Sequence, residues 1–387
     1  MGMNKVLFEI TDDQLETGLR GYPCGYCTTS FVDPQKGLFY IGQPVSDLAY
    51  KTPEEVLCLL YFGKEVFPEE KGSFLAELKK RAAVSFKVIE SIEALPREGH
   101  PMKLFSAALL ILGMVEGTGD YKEDCLNIIA KIPHLAAVVI NYHAGWGSAP
   151  VPNPELGYME SFTELLQVPG KRKEELGQVF KLFNILHYDH GGGNLSAFVG
   201  KAVASGLEDM YGSLTSCLCA LAGPRHGKAN QDCLVFVKEV LKELGEEATE
   251  SQVETLIRER LSSGQLVFGF GHAVLRIEDP RATVQYEYAD KHYSGHPLVK
   301  IAKHLRKAGT KVLLENPKIS SPYPNVDAIS GTLLTAAGFG FPEYFTVLFG
   351  MARCVGVSIQ IVYERVEARG GKGTPIVRPK YIYKAST

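Results

Sequence analysis

Three histidines in this chain stand in glycine-rich turns instead of on helix faces. His226 lies between Arg225 and Gly227, His272 follows Gly-Phe-Gly, and His190 precedes three glycines. Glycine lets the backbone approach a ligand closely, and imidazole can donate hydrogen bonds and move protons near neutral pH. Taken singly, each is equally well explained as a hydrogen-bonded turn histidine. The shared setting makes all three candidates for a reactive site.

Asp327 is the candidate carboxylate. It precedes an apolar helical run over 328–337, so an N-cap or first-turn aspartate, favoured by the helix dipole, explains it well. That explanation does not account for the neighbouring Asn325 and the adjacent Ser330-Gly331. Asp327 therefore remains a candidate base.

Two other site types are excluded by spacing. His187 and His190 could share a metal, but no further ligands stand at a recognisable spacing, so we predict no metal site. The glycines at 269–271 resemble the start of a dinucleotide fingerprint. However, Val274 stands where the third glycine belongs, and no strand–helix alternation surrounds it.

The length, charge and overall composition of the chain limit the class of protein it can be. The chain has 387 residues, a net charge of −3 and 45% apolar residues, which indicates a globular protein with no nucleic-acid partner. No apolar run approaches the roughly 20 residues of a membrane span. Residues 1–14 resemble neither a signal peptide nor an Arg-rich transit sequence, so we expect a cytoplasmic protein.

The eight cysteines do not indicate a disulfide framework in so long a chain. Cys24 and Cys27 have the spacing of a redox pair, but turn residues flank them and no βαβ unit follows. A thiol-redox protein is therefore a remote alternative.

The elements that must position these residues are mainly helical, because strand-like alternation is scarce beyond the N-terminal region. A short β-hairpin is predicted from 27–32 and 37–41, and residues 149–154, rich in proline, break the helical pattern. The predicted helical segments are 52–62, ended by Gly63, then 103–115, 134–142, 194–221, and a long helix from Pro342 to about Glu367, stopped by Gly370-Gly371.

Six motifs in order resemble the citrate synthase family, from about residue 18 to the C-terminus. They are Asp189-His190-Gly-Gly-Gly-Asn194, Gly223-Pro-Arg-His226-Gly, Gly269-Phe-Gly-His272 with Asp279-Pro280-Arg281, Asn325-Val-Asp327, Ala352-Arg353 and Arg378-Pro379-Lys380.

The resemblance implies that the chain joins acetyl-CoA to oxaloacetate and then hydrolyses the thioester. Asp327 matches the family's base, which removes a methyl proton. His226 matches the neutral donor to the thioester oxygen, and His272 matches the acid at the oxaloacetate carbonyl. Such a base needs donors at the developing enolate oxygen.

The resemblance also implies the binding residues. His190, Arg281, Arg353 and Arg378 match the oxaloacetate ligands, with Arg378 reaching the neighbouring subunit of a homodimer that shares its active sites. The CoA-binding positions are Val267, Gly269, Gly271, Arg276 and Asn325. No cofactor is implied, because acetyl-CoA is a substrate.

The implied fold is mainly α, with a large helical domain over 1–226 and 332–387 and a smaller helical domain over 227–331. The large domain would carry the dimer interface and the oxaloacetate site, and the small domain would carry CoA binding and catalytic residues.

The sequence departs from the family pattern near His226. Arg225 and Lys228 stand where apolar or small residues are common, and their charge would favour a neutral imidazole. The run from Asp189 to Asn194 is more similar to the mitochondrial-type branch.

Two further alternatives stay open. One is a 2-methylcitrate synthase that uses propionyl-CoA, since one methylene in an apolar pocket is worth only ~1–3 kcal/mol. The other is a non-catalytic metabolite-binding paralogue, although such a protein is expected to lose Asp327 or a key histidine.

Overall fold

The protein is described by a computed structural model covering residues 6–170 and 172–384, and it is mainly helical as predicted. The helices are α1 Val45–Leu48, α2 Pro53–Phe62, α3 Pro68–Arg81, α4 Phe86–Glu93, α5 Pro101–Glu116, α6 Tyr121–Ala144, α7 Tyr158–Leu165, α8 Lys173–His187, α9 Leu195–Ser205, α10 Met210–Leu221, α11 Ala229–Leu244, α12 Glu250–Ser262, α13 Pro280–Tyr293, α14 Pro297–Leu314, α15 Asp327–Ala336 and α16 Phe345–Val362. Short 3₁₀ turns at Asp12–Gln14 and Pro342–Tyr344, a π turn at Tyr363–Glu367 and a kinked turn at Ala368–Gly371 complete the helical elements.

The predicted N-terminal hairpin is present and gains a third strand. Strands β1 (Ser30–Asp33) and β2 (Gly37–Tyr40) pair antiparallel, and β3 (Gln43–Pro44) pairs with β2. Gly37 has a φ of +101°, and a Cβ there would lie 2.6 Å from the Pro280 ring. The hairpin turn therefore packs directly against the start of α13, which carries Arg281.

Helix α2 follows its sequence signals closely. Thr52 accepts a hydrogen bond from the Glu55 amide, and the Glu55 carboxylate accepts one from the Thr52 amide, which completes a capping box. Gly63 ends the helix at a φ of +67°.

Two helical predictions are wrong in extent. Helix α6 runs over 24 residues and not only 134–142, because its buried face holds it together across Pro133. The predicted helical segment 194–221 is two helices, α9 and α10. Asp209 starts α10 by accepting a hydrogen bond from the Gly212 amide at 2.8 Å.

Two helical segments are long and apolar enough for a membrane span, which the sequence analysis did not expect of any segment. By length and composition alone, Tyr121–Ala144 and Pro342–Gly371 would suffice to cross a membrane, yet 78% and 94% of their most apolar windows are buried inside the protein. Such burial is typical of the core helices of a globular protein.

The helices form two packed groups. Helix α16 runs through one group and contacts α5, α6, α8, α9 and α10, while α11 to α15 pack chiefly on one another. Helices α11 and α15 also touch α16 and α8, respectively. The predicted catalytic residues and the predicted oxaloacetate residues other than Arg378 lie where these two groups meet.

Candidate active site

His190 and His272 come from distant parts of the chain and face each other. Their ring centroids are 5.2 Å apart. Burial lowers the pKa of His190 well below its usual value, and the charges of Arg281, His272, Arg353 and His226 lower it further. The predicted oxaloacetate histidine therefore lies among the other predicted site residues, as a neutral imidazole whose buried Nε2 has no hydrogen-bond partner among the described residues.

His272 has a defined tautomer. Its Nδ1 accepts hydrogen bonds from the backbone amides of Val274 at 3.0 Å and Leu275 at 2.9 Å. Backbone amides can only donate, so the proton of the neutral ring sits on Nε2. Burial lowers the pKa of His272 to about 4, assisted by Arg281. The ring can therefore donate from Nε2 without carrying a charge.

His226 follows α10 and meets the start of α9. The Ser196 amide donates to its Nε2 at 3.4 Å, and the Ser196 hydroxyl lies 3.0 Å from the same atom. Because the amide can only donate, Nε2 is an acceptor and Nδ1 carries the proton. His226 is thus arranged as a neutral donor through Nδ1.

The neutrality of His226 has a different cause from the one expected. Burial lowers its pKa to about 4, and the charge that adds to this effect is that of Arg353. The sequence analysis had assigned this effect to Arg225 and Lys228. Arg225 lies exposed in the loop, and neither residue contributes.

Asp327 is the first residue of α15, and its amide donates to Asn325 Oδ1 at 3.0 Å. Its own Oδ1 is buried without a hydrogen-bond partner among the described residues. Burial raises the pKa of Asp327 to about 7, the charge of Arg281 lowers it, and that of Asp279 raises it. A carboxylate poised near neutral pH with an unbonded oxygen is suited to general-base work.

Arg281 is buried but not free of partners. Its Nε and Nη2 donate to Asp279 at 3.1 Å and 2.7 Å. Asp279 is itself buried, and the Arg281 charge holds its pKa below the usual value against the opposing effect of burial. This predicted substrate arginine is therefore part of a buried ion pair that also biases Asp327.

Arg353 on α16 is 1% exposed. Its Nη1 donates to Asn194 Oδ1 at 3.0 Å, and its guanidinium lies 4.9 Å from the Phe349 ring centroid. No carboxylate lies within ion-pair distance of it among the described residues. A buried cation without a partner is costly unless an anion joins it, so the geometry of Arg353 is that of an anion-binding group.

Arg378 is not brought to the site. It is exposed in the extended C-terminal segment, where the neighbouring Val377 amide donates to Ser205 Oγ at 2.9 Å. Its role in the active site of another subunit stays a prediction.

The glycine loop of the predicted CoA site is tied to the base. Gly269 and Gly271 have φ values of +85° and +86°. The side-chain nitrogen of Asn325 donates to the Gly271 carbonyl at 3.0 Å, and the backbone amide of Asn325 donates to the Gly269 carbonyl at 2.9 Å. Asn325 thus connects the loop to Asp327.

The other two predicted CoA residues flank this loop. Val267 packs partly buried against the core. Arg276 is exposed, and its Nη1 donates to the carbonyls of Val274 at 3.0 Å and Leu275 at 2.8 Å. The backbone amide of Arg276 donates to the Pro34 carbonyl at 2.9 Å. The loop therefore touches the hairpin turn.

Comparison with known proteins assigns the family. A model of the citrate synthase C-terminal domain matches residues 18–380. This chain belongs to the citrate synthase family.

Individual relatives agree with that family. Citrate synthase 4, mitochondrial, of Arabidopsis thaliana and the mitochondrial citrate synthase of Daucus carota are each 35% identical over 400 residues, covering 97% of this chain and 83% of theirs. The mitochondrial citrate synthase of Xiphias gladius is 36% identical over 397 residues, covering 96% and 83%. The prediction of a cytoplasmic location is wrong, because these curated relatives are mitochondrial.

Solved citrate synthases share the fold. The Thermotoga maritima structure is 26% identical with a TM-score of 0.81. A Thermoplasma acidophilum citrate synthase, solved as a ternary complex with carboxymethyl coenzyme A and oxaloacetate, is 25% identical with a TM-score of 0.82. Each alignment covers 96% of this chain and 96% of the solved chain.

Sequence reasoning missed the residues that support this citrate synthase site. Ser196, which orients His226, carries no motif signal, and the pairing of Asp279 with Arg281 was not foreseen. Asp189 was noted only as part of a motif. In the structure it accepts hydrogen bonds from Ser30 Oγ at 2.8 Å, Gln360 Nε2 at 2.7 Å and the hydroxyl of Thr29. An aspartate directly before a candidate histidine was the available signal.

Proposed function

We propose that this protein condenses acetyl-CoA with oxaloacetate and water to give citrate and CoA. The observation that carries the proposal is the setting of Asp327: a buried carboxylate, with a pKa of about 7 and an unbonded Oδ1, in the same site as neutral imidazoles. A carbon acid as weak as a thioester methyl needs this combination of base and donors.

The first step is proton removal from the acetyl-CoA methyl group by Asp327. The electron pair of the C–H bond moves into the new C=C bond, and the thioester oxygen gains charge. His226 Nδ1–H donates to that oxygen, because the Ser196 amide occupies Nε2. The donor is worth most in a buried site, where competing water is excluded.

The second step is attack of the enol carbon on the oxaloacetate ketone. His272 donates its Nε2 proton to the ketone oxygen as the C–C bond forms, giving citryl-CoA. The proton that Asp327 took from the methyl group then restores the neutral imidazole. Arg353 and Arg281 bind the two carboxylates of oxaloacetate. His190 adds a hydrogen bond to oxaloacetate through its unpartnered Nε2. Water then cleaves the thioester, and CoA leaves as the thiol.

The shared fold of the Thermoplasma acidophilum complex supports this substrate pair, since that enzyme was solved with carboxymethyl coenzyme A and oxaloacetate. The loop at 267–276 would contact CoA, with Arg276 free to turn toward a phosphate from its exposed position. No finding favours propionyl-CoA. No cofactor beyond the two substrates is needed for these steps.

The proposed domain arrangement follows the two packed groups of helices. Residues 227–331 would form the small domain, carrying His272, Arg281 and Asp327, while the rest carries His190 and Arg353. The self-packing of α11 to α15 supports this division. Movement of the small domain would close the site around the substrates.

A homodimer with a shared site is the proposed working form. Support comes from the segment around Arg378, whose exposed apolar and aromatic side chains are those of Ile376, Val377, Tyr381, Ile382 and Tyr383. Exposed apolar side chains concentrated in one segment are typical of subunit interfaces. Arg378 would then bind oxaloacetate in the neighbouring active site.

The test of the reaction is thiol release from acetyl-CoA with and without oxaloacetate, with propionyl-CoA measured in parallel. We expect release only with oxaloacetate and a higher kcat/KM for acetyl-CoA. Oxaloacetate-independent release would contradict condensation. For the shared site, mixing the inactive variants Arg378→Ala and Asp327→Ala should restore part of the activity, and no recovery would contradict the exchange of Arg378.

A further inference from the structure

Asp189 is a fully buried carboxylate with no cation in contact with it among the described residues. Its Oδ1 accepts hydrogen bonds from the His190 amide at 2.9 Å and from Gln360 Nε2 at 2.7 Å. Its Oδ2 accepts from Ser30 Oγ at 2.8 Å and from the Thr29 hydroxyl. All four donors are uncharged, so they satisfy the hydrogen bonds of this carboxylate but do not balance its charge.

Arg353 is the complementary case, a buried cation with no anion in contact. Within the described part of the chain it donates only to uncharged oxygens, at Asn194, His187 and Ser196. A buried charge is costly unless an opposite charge compensates it. The oxaloacetate side of the site therefore contains one unbalanced buried charge of each sign.

Helix α16 brings these two charges close together. Gly356 lies one turn after Arg353, so the two residues are neighbours on the helix surface. A Cβ at Gly356 would lie 2.6 Å from both Cβ and Cγ of Asp189. The Gly356 amide also donates to the Tyr188 carbonyl at 3.1 Å. The Asp189 side chain thus packs on the bare helix backbone one turn from Arg353, without forming an ion pair.

The pKa of Arg353 reflects this proximity. Burial lowers it, and the negative charge of Asp189 is the largest of the effects that oppose burial. Another cation, Lys201, has its Nζ near Gly192, but it pairs with Glu364 at 3.1 Å. Lys201 is therefore balanced by its own partner, and Asp189 remains the carboxylate that compensates Arg353.

We propose that Asp189 is a positioning residue that balances the charge of Arg353 from a distance, and so stabilises the empty site while lowering its affinity for oxaloacetate. The inference rests on the proposed function, because it takes oxaloacetate as the anion that Arg353 binds. A direct ion pair would occupy the N–H donors that the ligand needs. A carboxylate held on Gly356 leaves those donors free, but its charge also repels the incoming dianion.

The variant Asp189→Asn tests the charge separately from the hydrogen bonds. The oxygen of the new amide can accept from His190 and Gln360 as before, and the two hydroxyl groups can rotate to accept from its nitrogen. Calorimetry on the full chain should then show oxaloacetate bound about tenfold more tightly, because a negative charge near the dianion has been removed. A purely structural role would weaken binding instead, so weaker or unchanged binding would overturn the proposal.

Asp124→Asn is the matched control for this substitution. Asp124 is also a buried carboxylate held by uncharged donors, the amides of Thr118 at 2.9 Å and Gly119 at 3.1 Å. Those donors lie outside the loop that carries His190. Asp124→Asn should therefore leave the dissociation constant for oxaloacetate unchanged, and an equal gain in affinity in both variants would contradict a specific role for Asp189.

A double-mutant cycle tests the charge coupling without any substrate. Asp189→Asn and Arg353→Gln should each lower the urea midpoint of the ligand-free protein, because each leaves one buried charge alone. The double variant should be more stable than the sum of the two single effects predicts, and additive effects would overturn the proposal. If Asp189→Asn does not fold by itself, folding of the double variant supports the coupling, and its failure to fold contradicts it.

The two measurements separate this inference from the proposed function. If the native chain bound no oxaloacetate, the proposed function would fail, and the unfolding cycle would still decide whether Asp189 balances Arg353. If the native chain bound oxaloacetate and released thiol as expected, but Asp189→Asn did not bind it more tightly, the inference alone would fail.

Discussion

The two buried arginines of the active site differ in what surrounds them. Arg281, at the start of α13, makes two hydrogen bonds to the buried carboxylate of Asp279. Arg353, in the middle of α16, donates only to uncharged oxygens among the described residues, those of Asn194 at 3.0 Å and of His187 and Ser196 at 3.5 Å, and lies over the Phe349 ring. The first belongs to a charge-balanced pair that adjusts the pKa of Asp327, which burial chiefly raises. The second keeps its charge for a ligand.

This difference indicates a division of work across the site. The side that contains Asp327, His272 and Arg281 is tuned for proton transfer, since its charges offset one another and shift the pKa of the base. The side that contains Arg353 and His190 is tuned for anion binding, since Arg353 has no carboxylate within ion-pair distance among the described residues, whereas Arg281 shares its charge between Asp279 and the substrate. Variants on the two sides should therefore change different kinetic constants.

The largest effect is expected on the proton-transfer side. Asp327→Ala removes the base, and kcat should fall about 10²–10⁴-fold, the usual contribution of general-base catalysis. The dissociation constant for oxaloacetate should stay nearly unchanged, because its carboxylates bind elsewhere. Steady-state kinetics measures the fall in kcat, and calorimetry measures the dissociation constant for oxaloacetate. A kcat close to that of the native protein would show that Asp327 is not the base.

A second large effect is expected on the anion side. Arg353→Gln removes a buried cation that has no carboxylate partner, so the KM for oxaloacetate should rise about 10²-fold, corresponding to roughly 3 kcal/mol of charge-assisted binding. Arg81→Gln is the control, because Arg81 forms its ion pairs near the surface with Glu77 and Glu123. If Arg353→Gln lowered kcat alone, the proposed division would be wrong.

A pH profile of activity tests whether the charges beside Arg281 change the pKa of Asp327. Activity needs ionised Asp327, so kcat/KM should fall as the pH drops through about 7. The negative charge of Asp279 raises the pKa of Asp327, so Asp279→Asn should move this acid limb to lower pH. Glu278→Gln is the control, because Glu278 pairs with Arg306. A limb that moved upward or stayed in place would show that Asp279 does not bias the base.

The smallest effect is expected at the exposed edge of the site. Arg276→Ala should raise the KM for acetyl-CoA about 2–5-fold and leave kcat unchanged, because exposed charge contacts contribute about 1 kcal/mol or less. Arg258→Ala, which removes another exposed arginine, should leave that KM unchanged. A selective rise in the KM for oxaloacetate instead would move Arg276 from the CoA side to the anion side.

Local sequence signals determined the parts of the fold that depend on neighbouring residues. The capping box at Thr52 and Glu55, the stop at Gly63 and the turn of the N-terminal hairpin require only residues a few positions apart. The full extent of α6 did not follow, since Pro133 argues against a continuous helix. Distant residues compensate for it: the buried face packs on its neighbours, and the Tyr158 hydroxyl donates to the Ile129 carbonyl at 2.7 Å.

The sequence by itself determined the candidate site residues and the family that the chain resembles, because motif order and residue type are properties of the chain. Tertiary structure alone decided the protonation of those residues. The Ser196 amide places the proton of His226, burial raises the pKa of Asp327, and the partner of Arg281 differs from the surroundings of Arg353. Burial and hydrogen-bond direction depend on groups far apart in sequence that meet only in the folded protein.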